Sequence, residues 1–367
     1  MTSRLSWIAF FLLAAIPANA QIAATLTGTV TDTMGTPLSN VAVFIASSTM
    51  GTVTGEDGLY IITGVPLGTL RLYASSVGYE PQFVDMFVKD AVTIEHDFVL
   101  PEAVYQMGEL TVGGDNRRWQ RQLERFTRIF IGESPNASET KIMNPEVLDF
   151  SGRSGTFRAQ ASEPLVIENK ALGYRITYYL NEFVAEPSSW RWDGEPLYEP
   201  LPPSSPEEAA RWNAKRDSTF YGSFRHFLLA AINDQLDEHG FKIYASSGRT
   251  TRFSAGASQF PGGTRTELFA SDILRPGEAA DERILDFKGM LDVIYTRELE
   301  SSAYLRQEGL RRRPRFQTSP IQLDRGPTIV DLKGDTLDPY GVTFYGGYFA
   351  YERVADDVPK EYSPGAN

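Results

Sequence analysis

Apolar and polar residues alternate with period two from about Thr25 to Leu100, the signature of short strands each burying one face. Leu26, Gly28 and Val30 fall on one side, and Thr25, Thr27, Thr29 and Thr31 on the other. Val41, Val43 and Ile45 alternate with Ala42, Phe44 and Ala46; Leu70 and Leu72 alternate with Arg71 and Tyr73. Val92, Ile94, His96 and Phe98 close the set. Turn residues separate the runs: Met34-Gly35-Thr36-Pro37, Glu56-Asp57-Gly58, Pro66-Leu67-Gly68 and Val77-Gly78. Glycine supplies positive φ at such turns, and proline fixes φ while removing a ladder donor. Strands this short and regular predict an all-β sandwich, not a parallel α/β sheet.

The pattern changes after Gly113-Gly114-Asp115-Asn116, which reads as a hinge. Trp119, Leu123, Phe126, Ile129 and Phe130 recur at helical spacing, with five arginines on the remaining surface. That basic surface reads as a solvated helix face. Strand-like runs follow at 164–171, 174–183 and 190–198. Ser205, Pro206 and Glu208 then predict a capped helix with a capping box. Ser223 predicts a second helix, with Phe224, Phe227, Leu228, Ala231, Ile232 and Leu236 as one apolar stripe running to Gly240. Residues 241–245 predict a strand, and 283–287 and 291–297 a strand pair. Residues 321–323, 328–332 and 342–351 predict a terminal antiparallel set, with turns at Pro261-Gly262-Gly263 and Lys333-Gly334-Asp335. The expected architecture is therefore mainly β: a sandwich, then an α+β region with antiparallel sheet and two or three helices.

The first twenty residues read as a secretory signal peptide, with Arg4, an apolar run from Trp7 to Ile16, and Ala18-Asn19-Ala20 before the cleavage point. That run is too short to span a bilayer, and no later stretch is apolar enough to do so, so no transmembrane segment is expected after cleavage. Cleavage takes the net charge from −12 to −13, which argues against nucleic acid as partner. Cysteine is absent, which excludes disulfides, thiolate metal sites and a cysteine nucleophile.

Four marker segments in order resemble one family: Gly28-Thr29-Val30-Thr31-Asp32, Gly55-Glu56-Asp57-Gly58-Leu59-Tyr60, Val65-Pro66-Leu67-Gly68 and Val77-Gly78-Tyr79. They resemble the carboxypeptidase regulatory-like domain, a transthyretin-like (prealbumin-like) sandwich common in envelope proteins of the Bacteroidetes kind. The resemblance implies a seven-stranded Greek-key module without catalytic residues. Some related sandwiches bind carbohydrate, but no binding residues transfer. Two relatives of that domain are excluded. Gly108-Glu109-Leu110-Thr111-Val112 is similar to the segment leading into the plug of TonB-dependent receptors, yet the chain lacks the strands of such a barrel. Zinc carboxypeptidases need a His-x-x-Glu pair, and Val99, Leu229 and Lys242 stand three residues after His96, His226 and His239. The segments at 221–228 and 351–356 resemble an uncharacterised region attached to such sandwiches. The resulting organisation is 1–20 signal peptide, 21–112 sandwich, 113–132 linker and helix, and 133–367 α+β domain.

Candidate chemistry is sparse. His226 beside Arg225 is the best single candidate for a reactive group, able to exchange a proton near neutral pH, but no Gly-x-Ser-x-Gly elbow accompanies it. His239, just before Gly240, suits a helix C-terminus. Asp331, Asp335 and Asp338 read as turn carboxylates and miss the alternation of a calcium loop. Trp190, Trp192 and Tyr198 form one aromatic cluster and Phe344, Tyr345, Tyr348, Phe349 and Tyr351 another. Of these, Trp190, Trp192, Tyr198, Tyr345 and Tyr348 are the candidate binding residues, able to stack on sugar or bury a partner surface. Arg311-Arg312-Arg313-Pro314-Arg315 is a basic island that reads as a solvated loop. The expectation is an exported, non-catalytic protein of the periplasm or cell surface, needing neither metal nor cofactor, whose partner is an envelope protein or glycan. The alternative is a hydrolase with its site near His226.

Overall fold

The computed structural model describes residues 23–103, 116–152, 155–187, 189–246 and 265–365. The expected signal segment, the expected hinge at Gly113-Gly114, the plug-like segment at 108–112 and the expected turn at Pro261-Gly262-Gly263 lie outside them.

The N-terminal strands are β1 (Ala23–Asp32), β2 (Ala42–Ile45), β3 (Gly51–Val53), β4 (Leu59–Pro66), β5 (Gly68–Ser75), β6 (Gln82–Val88), β7 (Thr93–Glu95) and β8 (Phe98–Leu100). One sheet has the order β4-β1-β7 with β8 also on β1; the other is β3-β2-β5-β6. Strands β7 and β8 both run parallel to β1, at Thr25–Thr27 and then at Val30–Asp32. They act as one strand interrupted at His96 and Asp97, which reconciles eight segments with a seven-stranded sandwich. Gly28 makes room for the interruption: a Cβ there would lie 1.9 Å from the His96 carbonyl oxygen. That same oxygen accepts the Tyr60 hydroxyl at 2.6 Å. Leu26, Val30, Val43, Ile45, Leu70, Leu72, Val88 and Leu100 fill the sandwich core, and Tyr79 packs on it partly buried.

The second region opens with α1 (Asn116–Phe130), followed by β9 (Thr140–Ile142), β10 (Leu148–Ser151), β11 (Phe157–Ala161), β12 (Leu165–Asn169), β13 (Tyr174–Glu186) and β14 (Ser189–Pro200). The sheet order is β10-β11-β13-β12-β9, with β14 along the other edge of β13. Phe126 and Phe130 of α1 are fully buried against this sheet. A register shift between Leu180 and Glu182 inserts one residue into β13. Since side chains alternate along a strand, this bulge lets Tyr178 and Phe183, five residues apart, join the same core.

A further core surrounds α2 (Pro206–Phe220), α3 (Phe224–Ile232), α4 (Leu236–His239), β15 (Phe241–Ser246), β16 (Arg265–Leu268), α5 (Ala270–Ile273), β17 (Leu274–Pro276), β18 (Glu282–Leu285), β19 (Met290–Leu299), α6 (Ser302–Gln307), β20 (Phe316–Gln322), β21 (Thr328–Asp331), β22 (Thr343–Phe344) and α7 (Gly347–Tyr351). The larger sheet is β16-β15-β19-β20-β22 and the smaller β17-β18-β21. Phe227, Leu228 and Ala231 of α3 share a core with Phe241, Ile243, Leu291 and Val293 of the larger sheet. Among the described residues, three α-helices exceed eight residues and four more span four to six.

Several local expectations change. The apolar stripe at 224–236 is two helices, because Asp234 takes a left-handed φ of 55° and the Gln235 N–H bonds the Ala230 carbonyl at 2.8 Å. This closes α3 with a Schellman-type cap. Ser205 caps α2 by accepting the Glu208 N–H at 3.2 Å, but the Glu208 carboxylate takes the N–H and hydroxyl of Ser204, not Ser205. Strands β18 and β19 do not pair. The chain turns at Gly289 (φ 75°) and passes from one sheet to the other. The expected final strand at 342–351 shrinks to β22. Gly346 and Gly347, at φ 96° and 75°, redirect the chain into α7, and a Cβ on Gly347 would lie 2.2 Å from the Thr318 carbonyl oxygen.

Candidate functional site

His226 sits on α3 and is 2% exposed. The Gly222 N–H donates to its Nδ1 at 3.0 Å, so the ring proton is on Nε2. Nε2 meets Nδ1 of His239 at 2.8 Å. Burial, assisted by His239 and Arg297, pushes its pKa down to about 4. Neither ring nitrogen is left for a substrate, and Phe220, Tyr221, Phe241 and Tyr295 surround the ring. The neighbouring Arg225 is also engaged. Its guanidinium donates to the carbonyls of Lys333 at 2.9 Å, Pro359 at 3.1 Å and Lys360.

The aromatic candidates divide into separate places. Trp190 is 42% exposed, whereas Trp192 packs partly buried on Phe130 and Phe183. The Arg353 guanidinium lies 4.7 Å from the Trp190 ring centre and 5.8 Å from that of Trp192, so the two tryptophans already hold a cation. Tyr198 is buried edge-on to Tyr174. Tyr345 donates its hydroxyl to Asp324 at 2.9 Å. Tyr348 is buried with Tyr304 and Tyr351, and its hydroxyl accepts the Ser301 N–H at 3.0 Å. The five residues do not converge on one surface.

Among the described residues no group of three or more His, Asp or Glu is placed to hold a metal ion. The aspartates at the 331–338 turn show why. The Asp331 Oδ1 accepts the Lys333 and Asp335 N–H groups at 2.9 Å each, and the Lys360 ammonium stands 2.7 Å from Asp335 and 3.8 Å from Asp331. Burial works against that ammonium, but Asp335 and Asp331 outweigh it and raise its pKa. In the basic island, Arg312 is paired through both terminal nitrogens with Glu300, at 2.6 and 2.8 Å.

Sequence reasoning missed a seam on the outer face of the β3-β2-β5-β6 sheet. On β2 and β5, Val43, Ile45, Leu70 and Leu72 face the sandwich core while Phe44 and Tyr73 face the other way, against Tyr179 of β13. Phe44 stacks on Tyr179 with centroids 4.8 Å apart and meets Tyr73 at 5.3 Å. The Tyr73 hydroxyl donates to Asn181, the residue at the β13 bulge, at 3.0 Å. Arg71 bridges Asp85 at 2.8 Å and Glu195 at 2.9 Å. Thr69 donates its hydroxyl at 3.1 Å, and its N–H, to Asp281. Backbone bonds Ser47 N–H to Pro196 O and Tyr198 N–H to Ser48 O, both 2.9 Å, extend the contact. The tail adds Lys360 N–H to Ser47 O at 2.8 Å, and the Tyr362 hydroxyl ties that tail to Asp217 of α2. One signal was available: Phe44 is a large apolar residue on the strand face opposite Val43 and Ile45, which implies burial on both faces.

An open concavity of about 350 Å³ lies elsewhere, beside α1. Arg118, Arg121, Gln122 and Arg125 of α1 form one wall, and Ser151, Gly152, Gly155 and Thr156 beside the β10–β11 connection form the other. Helix α1 is held there by the Trp119 indole N–H, which donates to the Leu148 carbonyl at 3.2 Å, and by buried Phe126 and Phe130. The Arg125 guanidinium lies 4.7 Å from the centre of the Phe157 ring.

Residues 26–112 match the family described as the CarboxypepD_reg-like domain, about the span of the sandwich and its exit segment. No curated protein sequence matches the chain. Solved structures that overlap it include 3-chlorocatechol 1,2-dioxygenase from Rhodococcus opacus 1CP, at 12% identity over 23% of this chain and 62% of that one, with a TM-score of 0.20. This chain thus spans less than two thirds of the dioxygenase. A type II cohesin–X–dockerin complex from Acetivibrio cellulolyticus overlaps at 16% identity, 30% and 77% coverage, and TM-score 0.20. A streptococcal ancillary pilin overlaps at 10% identity, 51% and 61% coverage, and TM-score 0.21. TM-scores this low carry no argument about function.

Proposed function

We propose that this chain, with its CarboxypepD_reg-like sandwich, is an exported, non-catalytic binding protein of the cell envelope, with protein or glycan as its ligand. In this reading residues 1–20 direct export and are removed, and 21–112 form a mount. Residues 113–132 join that mount to the interaction region at 133–367. The observation that carries the reading is the seam. A sandwich docked through Phe44, Tyr73 and Arg71 on β13 and β14 acts as a rigid support, and it leaves the surface of the second region to meet a partner. The arrangement around His226 agrees: a buried imidazole with both nitrogens bonded and a low pKa is a poor general base near neutral pH. Among the described residues no helix is long and apolar enough to cross a membrane.

The test is a broad hydrolase substrate panel run beside a panel of immobilised glycans and envelope proteins. Saturable binding without turnover supports the reading. Turnover that disappears in His226→Ala overturns it and establishes the hydrolase alternative.

A further inference from the structure

The geometry points to the concavity beside α1 as a binding site for an acidic oligosaccharide whose carboxylates or sulfates repeat along an extended chain. This deepens the binding reading above and rests on it. Arg118, Arg121 and Arg125 are three and four residues apart, so neighbouring side chains leave the helix about 5–6 Å apart on one face. The row extends roughly 10 Å along the axis at the helical rise per residue. Anionic groups repeating along a sugar chain can bridge such a row, and each planar guanidinium can grip a carboxylate or sulfate with two parallel hydrogen bonds.

The row stands out by combining free charge with a concavity. The chain has 47 acidic residues against 35 basic ones, and Arg71, Arg158, Arg191, Arg211 and Arg312 are ion-paired; Arg311 and Arg313 form no ion pair among the described residues, but they do not line this concavity. Among the described residues none of Arg118, Arg121 and Arg125 forms an ion pair. Like charges three and four residues apart weaken a helix, and an anion bridging them reverses that cost. Arg125 is oriented by the Phe157 ring beneath it. The lining also offers hydroxyls from Ser151 and Thr156 and an amide from Gln122, groups suited to sugar hydroxyls. Among the described residues no exposed large apolar side chain lines the concavity, so its lining offers charged and polar groups and not an apolar face for a bilayer.

The experiment is calorimetric titration of the full chain with a galacturonate hexamer at low and high salt. The methyl-esterified hexamer, inorganic sulfate and phosphatidylglycerol vesicles are run as separate arms. Arg118 and Arg121 are exposed, so Arg118→Glu with Arg121→Glu leaves the core intact; Arg311→Glu with Arg313→Glu makes the same charge change at another exposed site. The inference expects the acid hexamer to bind and to weaken as salt screens the contact. It expects a loss of about tenfold or more in the Arg118/Arg121 variant, a change under about twofold in the control variant, and no binding of the ester. Equal affinity in the Arg118/Arg121 variant, equal binding of the ester, or binding of sulfate or vesicles alone overturns it. If another glycan or a protein binds and the hexamer does not, this inference fails and the binding reading stands. If the hexamer binds at the arginines and is cleaved, the site stands and the non-catalytic reading fails.

Discussion

Replacing Phe44 with alanine tests whether the sandwich is truly fused to the rest of the chain. Phe44 is fully buried, yet it points away from the sandwich core and into the seam, stacked on Tyr179 and close to Tyr73. Truncating a fully buried phenylalanine costs about 3–5 kcal/mol through lost transfer energy and the cavity left behind. Each aromatic pair contributes about 0.5–1.5 kcal/mol of that. Because Val43 and Ile45 still fill the sandwich core, the loss should fall on the coupling between the two regions. Urea unfolding reports this directly. The tryptophans after residue 20 are Trp119, Trp190, Trp192 and Trp212, all outside the sandwich, whereas far-ultraviolet circular dichroism sees both parts. In the wild type the two probes should trace one transition. In Phe44→Ala the dichroism and fluorescence curves should separate, with about 3–5 kcal/mol lost from the coupled transition. A double-mutant cycle with Tyr179→Ala should show non-additivity of about 1 kcal/mol or more. A loss below about 1 kcal/mol with coincident curves would refute the reasoning.

Two further outcomes follow from buried polar groups. Arg312→Ala leaves the Glu300 carboxylate, only 2% exposed, without its bidentate partner and should cost about 3–5 kcal/mol in denaturant unfolding. Adding Glu300→Gln should recover a large part of that loss, and no recovery would mean the charge is not its source. The second outcome concerns acid. The folded-state pKa of His226 is about 4, below the ordinary value of 6.5. The unfolded chain therefore takes up a proton between those limits that the folded protein refuses. The contribution is complete above pH 6.5 and is lost as pH falls toward 4, with a total on the order of 3 kcal/mol. Unfolding of the wild type minus His226→Gln across that range should show this slope; a flat difference, or one of opposite sign, would show that the imidazole is not buried neutral.

How much of this was legible in the sequence depends on how local the determining interaction is. The sandwich was readable because period-two alternation and positive-φ glycines are properties of neighbouring residues, and Gly28, Gly58 and Gly78 each mark a place where backbone geometry demands glycine. The caps at Ser205 and Ser223 were readable for the same reason. The terminal strand was misread because aromatic density at 344–351 resembles a strand, and the Gly346-Gly347 pair that turns the chain was passed over. The seam joins Phe44 to Tyr179 and Arg71 to Glu195, pairs more than a hundred residues apart, which one sequence cannot align. The His226–His239 contact depends on the break at Asp234 and was equally invisible. The arginines of α1 were correctly placed on a helix face. What the sequence does not show is that Ser151, Gly152, Gly155 and Thr156 face them across a concavity.

The central claim, binding without catalysis, is tested most directly by holding the protein at stoichiometric concentration with a panel of acidic and neutral oligosaccharides. The bound fraction and the mass of each sugar are then followed over the same hours. The account predicts that at least one sugar is retained with its mass unchanged and is released intact on denaturation. Fragments or modified sugars that accumulate with the wild type and not with His226→Ala would contradict it.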